Sequence, residues 1–447
     1  MNDPVLEQAF ATLDDIVAPD LTSEILDRTL APSAAPPDRR AERDAPLRRV
    51  VAAALALAIF AAAALLGTWL WERGQANHPV DEPERTGDPW RWAPEGWSEL
   101  PPPPEIRDGA AIVWAGDRLI VWGGWPHGTD SSEVSPSSDG FAFDPWSQTW
   151  SMIPDAPARA GFGDDGEVVW TGSEALFFGV RREGDDVTLV FDPADSTWRE
   201  LPGSPHQPGW GGVTLWTGSE VISWGGGDQG SREGREGATF DPRTGMWAPI
   251  ADAPIGLNLA DAAWDGHEMI VVGSDIDRGN HASSETALAL SYDPTADVWR
   301  RLPDPPVSPQ TSAVSVVRGR IIAWEAYSPA AAEYVRAADH WRQLDTGDLE
   351  GGECYAYGVV VEHDIFTWDC GEPAIFSAER STWVRTGPPR PGLDAGFTYS
   401  VGHPYAADDA VVVEHIETVK GERGEPYIGS PDAPIHLWLW RPSTAGV

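Results

Sequence analysis

The feature that most constrains this chain is a sentence it writes repeatedly, clearest between Trp210 and Pro254. An apolar run closed by Trp216 meets a tight turn at Gly218-Ser219, and Glu220–Trp224 forms a second run ending in Gly225-Gly226. Two short apolar runs around a glycine turn predict a β-hairpin. After a variable loop come Phe240-Asp241-Pro242, then Trp247, then a proline-rich exit. Asp-Pro after a short strand predicts the turn into the next one. One copy is therefore a four-stranded antiparallel unit that cannot bury its faces alone, the blade of a β-propeller.

The copies can be counted by their fourth-strand tryptophans: Trp97, Trp150, Trp198, Trp247, Trp299, Trp341 and Trp383. Third-strand turns recur at Phe143-Asp144-Pro145, Phe191-Asp192-Pro193 and Tyr292-Asp293-Pro294, then degrade to Tyr334-Val335 and Ile375-Phe376-Ser377. The two ends complement each other. Trp97-Ser98-Glu99-Leu100 is a fourth strand without a blade, while Phe397–Val401, Ala410–Ile416 and Ile435–Trp440 are three strands lacking a fourth. Joining them predicts seven complete blades and removes an exposed sheet edge.

The glycine pair closing the second strand (Gly123-Gly124, Gly225-Gly226), the third-strand aromatic and the spaced tryptophan together resemble the kelch repeat. The resemblance covers about 90–442 and implies an all-β, seven-bladed kelch-type β-propeller. It implies little about function, because a fold of this kind hosts many.

Upstream, Val50–Trp71 runs without a charge and reaches ~33 Å as a helix, enough to cross a hydrocarbon core of about 30 Å. Five arginines (Arg39, Arg40, Arg43, Arg48, Arg49) precede it and Glu72, Asp81, Glu82 and Glu84 follow, an asymmetry that puts the N-terminus in the cytoplasm. A cleaved signal peptide would have a shorter apolar core and a small-residue cleavage site. The expectation is an uncleaved signal-anchor: a cytoplasmic tail at 1–49, one transmembrane helix at 50–71 in the lipid bilayer, a linker at 72–89, and an extracellular propeller at 90–442. The tail is either helical or disordered; Leu6, Phe10, Leu13 and Val17, then Leu21, Ile25, Leu26 and Leu30, fall at helical spacing. The stretch up to residue 94 reads as linker that the propeller could lose.

Charge excludes one class of partner. Residues 72–447 carry 60 acids against 25 bases, so nucleic acid is not expected to bind. Arginine supplies every basic residue except Lys420, a coding bias that points to a GC-rich bacterial genome. The two cysteines, Cys354 and Cys370, fall on the first and second strands of the sixth blade, across a turn at Glu362-His363. In an exported domain they are most simply a disulfide.

No catalytic constellation is legible. Galactose-oxidase-like kelch propellers need two histidines, two tyrosines and a cysteine in one pocket, and here those residues are scattered. Asp boxes, zincin His/Glu spacing and a Gly-x-Ser-x-Gly elbow are absent, so no cofactor or metal is expected. The variable segments are the loops between second and third strands and the connections between blades, which share one face of a kelch propeller. Loops on a rigid scaffold commonly carry binding residues. The candidates there are His127, Arg159, Arg181, Arg182, His206, Arg232, Arg235, Arg278, His281 and Arg390. Their basic character leads to the expectation of an anionic ligand. The resulting reading is an extracellular recognition module for a protein, peptide or glycan, with or without signalling through the tail; the alternative is a membrane-anchored oxidase- or lyase-type enzyme.

Overall fold

The computed structural model describes residues 87–129, 134–160, 167–182, 185–205, 212–226, 234–275, 287–309, 312–325, 328–345, 358–369, 372–386, 404–416, 419–420, 426–427 and 435–442. They form a seven-bladed β-propeller. Blade 1 is Ala111–Trp114, Leu119–Trp122, Gly140–Asp144 and Thr149–Ile153, and blade 2 is Glu167–Trp170, Ala175–Arg182, Asp185–Asp192 and Thr197–Pro202. Blades 3 to 6 repeat the order, starting at Gly212, Leu257, Ser312 and Gly358. The first strand of each blade neighbours the first strands on either side, so seven of them surround the axis.

Each blade forms for reasons visible in its residues. The first turn needs a left-handed residue, supplied at Gly116, Gly172, Gly218 and Gly266, all with positive φ. In the turn between third and fourth strands, the Asp carboxylate accepts a backbone N–H two residues on, at 2.8 Å for Asp144 and 2.9 Å for Asp241. That side-chain acceptor closes the turn locally.

Between blades, the fourth-strand tryptophan is the wedge. Trp198 packs on Phe191 of its own blade at 4.8 Å and on Trp122 of the blade before at 5.0 Å. Trp299 does the same with Tyr292 and Trp224. Its indole N–H then latches onto the preceding blade's exit: Trp150 to Pro101 O, Trp198 to Pro154 O and Trp341 to Pro303 O, each at 2.7 Å.

Blade 7 closes the ring as the orphan strand requires. Gly96–Glu99 pairs antiparallel with Ile435–Arg441, placing Trp97 opposite Trp440 and Glu99 opposite Trp438. The first strand of that blade differs from expectation. It is Pro404–Ala407, joined to Ala410–Ile416 by a tight turn with Asp408 at φ 57°; the apolar stretch 397–401 lies outside the described residues. The short Tyr-Ala-Ala strand has too little apolar character to stand out, since packing rather than propensity selects it.

The linker also ends earlier than expected. Trp90 is fully buried, donates its indole N–H to Ala407 O at 2.9 Å, and packs 5.3 Å from Trp114, while Asp88 pairs with Arg441. Residues 88–94 therefore belong to the propeller and are not dispensable. The expected span at 50–71 and tail at 1–49 lie outside the described residues, as do Cys354 and Cys370. Among the described residues, no helix is long and apolar enough to cross a membrane.

A chain starting at Gly87 should keep the propeller's urea midpoint. One starting at Glu95 keeps the closing strand but loses Trp90, and should lose about 3–5 kcal/mol. Equal midpoints would show that Trp90 is not part of the core.

Candidate functional site at the channel mouth

The face carrying the second-to-third-strand loops is organised at blade 1 by Gly123-Gly124. Both glycines have positive φ, and a Cβ on Gly124 would sit 2.8 Å from Asp108 O and 2.9 Å from Ala110 N. Its absence lets Arg107-Asp108 cross the end of the blade and pair with Trp125-Pro126. Arg107 is buried and locks this crossing. Its guanidinium donates to Asp139 O at 2.8 Å and Gly123 O at 3.2 Å, pairs with Glu105 and Asp139, and lies 4.7 Å over the Phe141 ring.

The crossing fixes Asp108 against His127, with Oδ1 and Nδ1 2.6 Å apart. Asp108 Oδ2 also accepts the Gly128 N–H at 3.3 Å, and the His127 N–H donates to Ile106 O at 3.1 Å. A carboxylate holding one imidazole nitrogen orients the ring, an arrangement used for binding and for proton transfer alike.

Blade 7 contributes Glu414 from its second strand and Tyr405 from its first. Burial pushes the Glu414 carboxyl up to about 7, the Asp108 charge adds to the rise, and His127 opposes it. Burial, then the charge of Glu414, also raises the Tyr405 phenol. Glu167 opens the first strand of blade 2, and burial raises its carboxyl to about 7. Asp261 follows a register break in the first strand of blade 4 and accepts the Val314 N–H of blade 5 at 2.8 Å and the Ala262 N–H at 2.9 Å. Burial raises it to about 6 in spite of those bonds.

Glu167, Asp261, Tyr405 and Glu414 are half-buried. Glu414 stands beside the Asp108–His127 pair where blades 7 and 1 meet, while Glu167 and Asp261 are further half-buried carboxyls on the first strands of blades 2 and 4. The Asp108–His127–Glu414 cluster presents acceptors, which suit hydroxyl-rich or cationic groups.

Of the expected residues that the structure describes, His127 is the one placed in this cluster. Arg235 instead ties its loop to the blade exit, donating to Ala253 O at 2.7 Å. Arg159 is exposed and reaches Pro136 O at 3.4 Å. Arg181 and Arg182 prolong the second strand of blade 2 and pair with Asp186 and Asp185, where a loop was expected; their side chains lie outside the described residues. His206, Arg232, Arg278, His281 and Arg390 are outside the described residues. Sequence reasoning missed Asp108, Glu167, Asp261, Tyr405 and Glu414. An acid interrupting an apolar strand, as Glu414 does after Val411–Val413, is the signal that could have found them.

Among the described residues, no group of three or more His, Cys, Asp or Glu side chains is placed to hold a metal ion. The cluster offers one imidazole, already bonded to Asp108, so these residues do not fit a copper site of the two-histidine type.

No family model matches the chain, and no curated protein matches it. Among solved structures, it is similar to a fungal alcohol oxidase of the AA5 family in complex with copper, with TM-score 0.52 and 14% identity, covering 79% of this chain and 78% of that one. At that identity the likeness is one of fold.

The raised carboxyls make stability depend on pH. Glu167, Asp261 and Glu414 titrate higher in the folded protein than their ordinary 4.5, 3.8 and 4.5, so between about pH 4 and pH 7 the folded state holds more protons. Stability should fall as pH rises through that window and level off above it. Glu414→Gln removes one share of the fall. Relative to wild type it should gain on the order of 1 kcal/mol at pH 8, after screening by solvent, and nothing at pH 4. Urea midpoints at the two pH values measure this; an unchanged pH dependence would disprove it.

Proposed function

We propose that this chain is a membrane-anchored, extracellular binding module of kelch type. The charge-free stretch 50–71 is its signal-anchor, 1–49 its cytoplasmic tail, and the propeller takes a protein, peptide or glycan at the channel mouth. Support for the face comes from one observation: Asp108, His127, Glu414 and Tyr405, from loops and strands of blades 1 and 7, converge beside the axis. A hydroxyl or an ammonium brought there meets acceptors that are already oriented. Anchoring rests on the arginine asymmetry around the apolar stretch and on the acidity of everything after it. Export in turn supports a Cys354–Cys370 disulfide, worth on the order of 3 kcal/mol for a loop of that size.

The second reading is a membrane-anchored oxidase, favoured by the copper-bound alcohol oxidase whose fold is similar. Metal analysis separates the two, because that reading requires stoichiometric copper in the purified protein.

Glycan and peptide arrays probed with the protein should return hits that weaken at least tenfold in Asp108→Asn and Glu414→Gln. Hits unaffected by both substitutions would move the site off the channel mouth. Protease added to intact cells should remove the propeller and spare the tail; a protected propeller would overturn the topology.

A further inference from the structure

The crossing strand of blade 1 carries more than the carboxylate–imidazole pair. Asp108 lies directly opposite Trp125 in the two-residue ladder, and residues paired in that way set their side chains on one side, about 4.5–5.5 Å apart at Cβ. His127 follows two positions after Trp125 and reaches the same carboxylate. An indole, a carboxylate and an imidazole therefore share one side of the crossing. The group is open to solvent: the Asp108 side chain is 41% exposed, and Trp125 is half-buried.

Blade 7 meets it with two more groups. Tyr405 stands opposite Val412 on the face turned to blade 1, where both pack in one core with Ile112 and Trp114. Glu414 lies two residues past Val412, so strand alternation puts it on that face as well. The titratable groups gathered around Glu414 are thus Asp108, His127 and Tyr405. Arg107, next to Asp108 in the chain, is turned instead to Glu105 and Asp139. Each Asp108 oxygen, one serving His127 and the other Gly128, keeps a lone pair for a further donor. Burial and the Asp108 charge hold the Glu414 proton on up to about pH 7, and a cation set between the two carboxyls removes that second cause.

We propose that the channel mouth takes the basic side chain of a peptide or protein partner, and that the incoming cation displaces the Glu414 proton to solvent. The cation donates its N–H groups to Asp108 and Glu414, and its charge lies over the Trp125 ring. A basic partner also complements the domain, whose 60 acids against 25 bases over residues 72–447 draw it in from a distance. The inference rests on the binding reading above and narrows it, because a neutral glycan has no charge with which to expel the proton. A lysine ammonium stays charged throughout, so binding should tighten as pH rises to about 7 and level off above it.

Calorimetric titration of the full-length protein with acetyl-Gly-Lys-Gly-amide tests it. Affinity is expected to be at least tenfold higher at pH 8 than at pH 5.5, and heats at pH 6.5 in phosphate and imidazole buffers should differ in the sense of proton release. Glu414→Gln should lose that release and bind at least tenfold more weakly at pH 8, with the gap closing toward pH 5.5; a purely structural defect would keep the gap constant. Trp125→Leu should weaken binding at every pH and keep the release. The same peptide with its lysine acetylated at Nζ should not bind. No binding of the lysine peptide, equal binding of the acetylated one, or binding without proton release would each overturn the inference. Array hits that are neutral glycans or acidic peptides, yet weaken in Asp108→Asn, would overturn it and leave the binding reading standing. Hits indifferent to both Asp108→Asn and Glu414→Gln would overturn the two together.

Discussion

Everything in this molecule depends on a flat indole set between two blades. The fourth-strand tryptophan covers the aromatic of its own third strand and the second-strand aromatic of the blade before, as Trp247 does with Phe240 and Phe178. Its N–H then finds the carbonyl where the previous blade exits, at 3.1 Å for Trp247 and Pro202. A large apolar face with one polar tip is suited to that position, because the seam is dry except at its rim. The proline-rich exits supply carbonyls in a chain direction that does not continue the sheet. The arrangement is additive from blade to blade, and it buries its full surface only when the last blade meets the first.

Closure is where the repeat has to be broken. The run of repeats has two ends, and they meet in blade 7, which is built from Gly96–Glu99 and Pro404–Arg441. The aspartate that closes the third turn in blades 1 to 4 is replaced here by Arg441, which has no turn to make. It reaches instead to Asp88 and the carbonyls of Trp90 and Ala93. That holds the entering chain where Trp90 can fill the centre of a core shared with Trp114, Phe143 and Leu439.

The rigid ring permits the acids near its axis. Glu167, Asp261 and Glu414 each keep a carboxyl that is costly to ionise, and the blades around them supply the strand pairing that tolerates the cost. Such groups concentrate where proteins bind or react. Glu414 stands beside Asp108 and His127, so there the electrostatic cost falls within a site and gives it its own pH range.

The repeat was legible in the residues because its determinants are local: glycine where φ is positive, aspartate where a turn needs an acceptor, tryptophan at a fixed distance from an aromatic. The seven-fold count and the borrowed fourth strand followed from matching an orphan at one end to a gap at the other. The site was mostly illegible. His127 could be picked out as a loop histidine, but Asp108 is brought to it only by a crossing that needs Gly124 bare, and Glu414 comes from a strand 306 positions away from that aspartate. Trp90 looked like linker because its partners, Trp114 and Ala407, lie far apart in the chain. Sequence by itself determined the blade, since each blade is held by contacts within about fifty residues. Tertiary structure decided what stands beside the axis and at the seam, because those contacts exist only once the ring has closed.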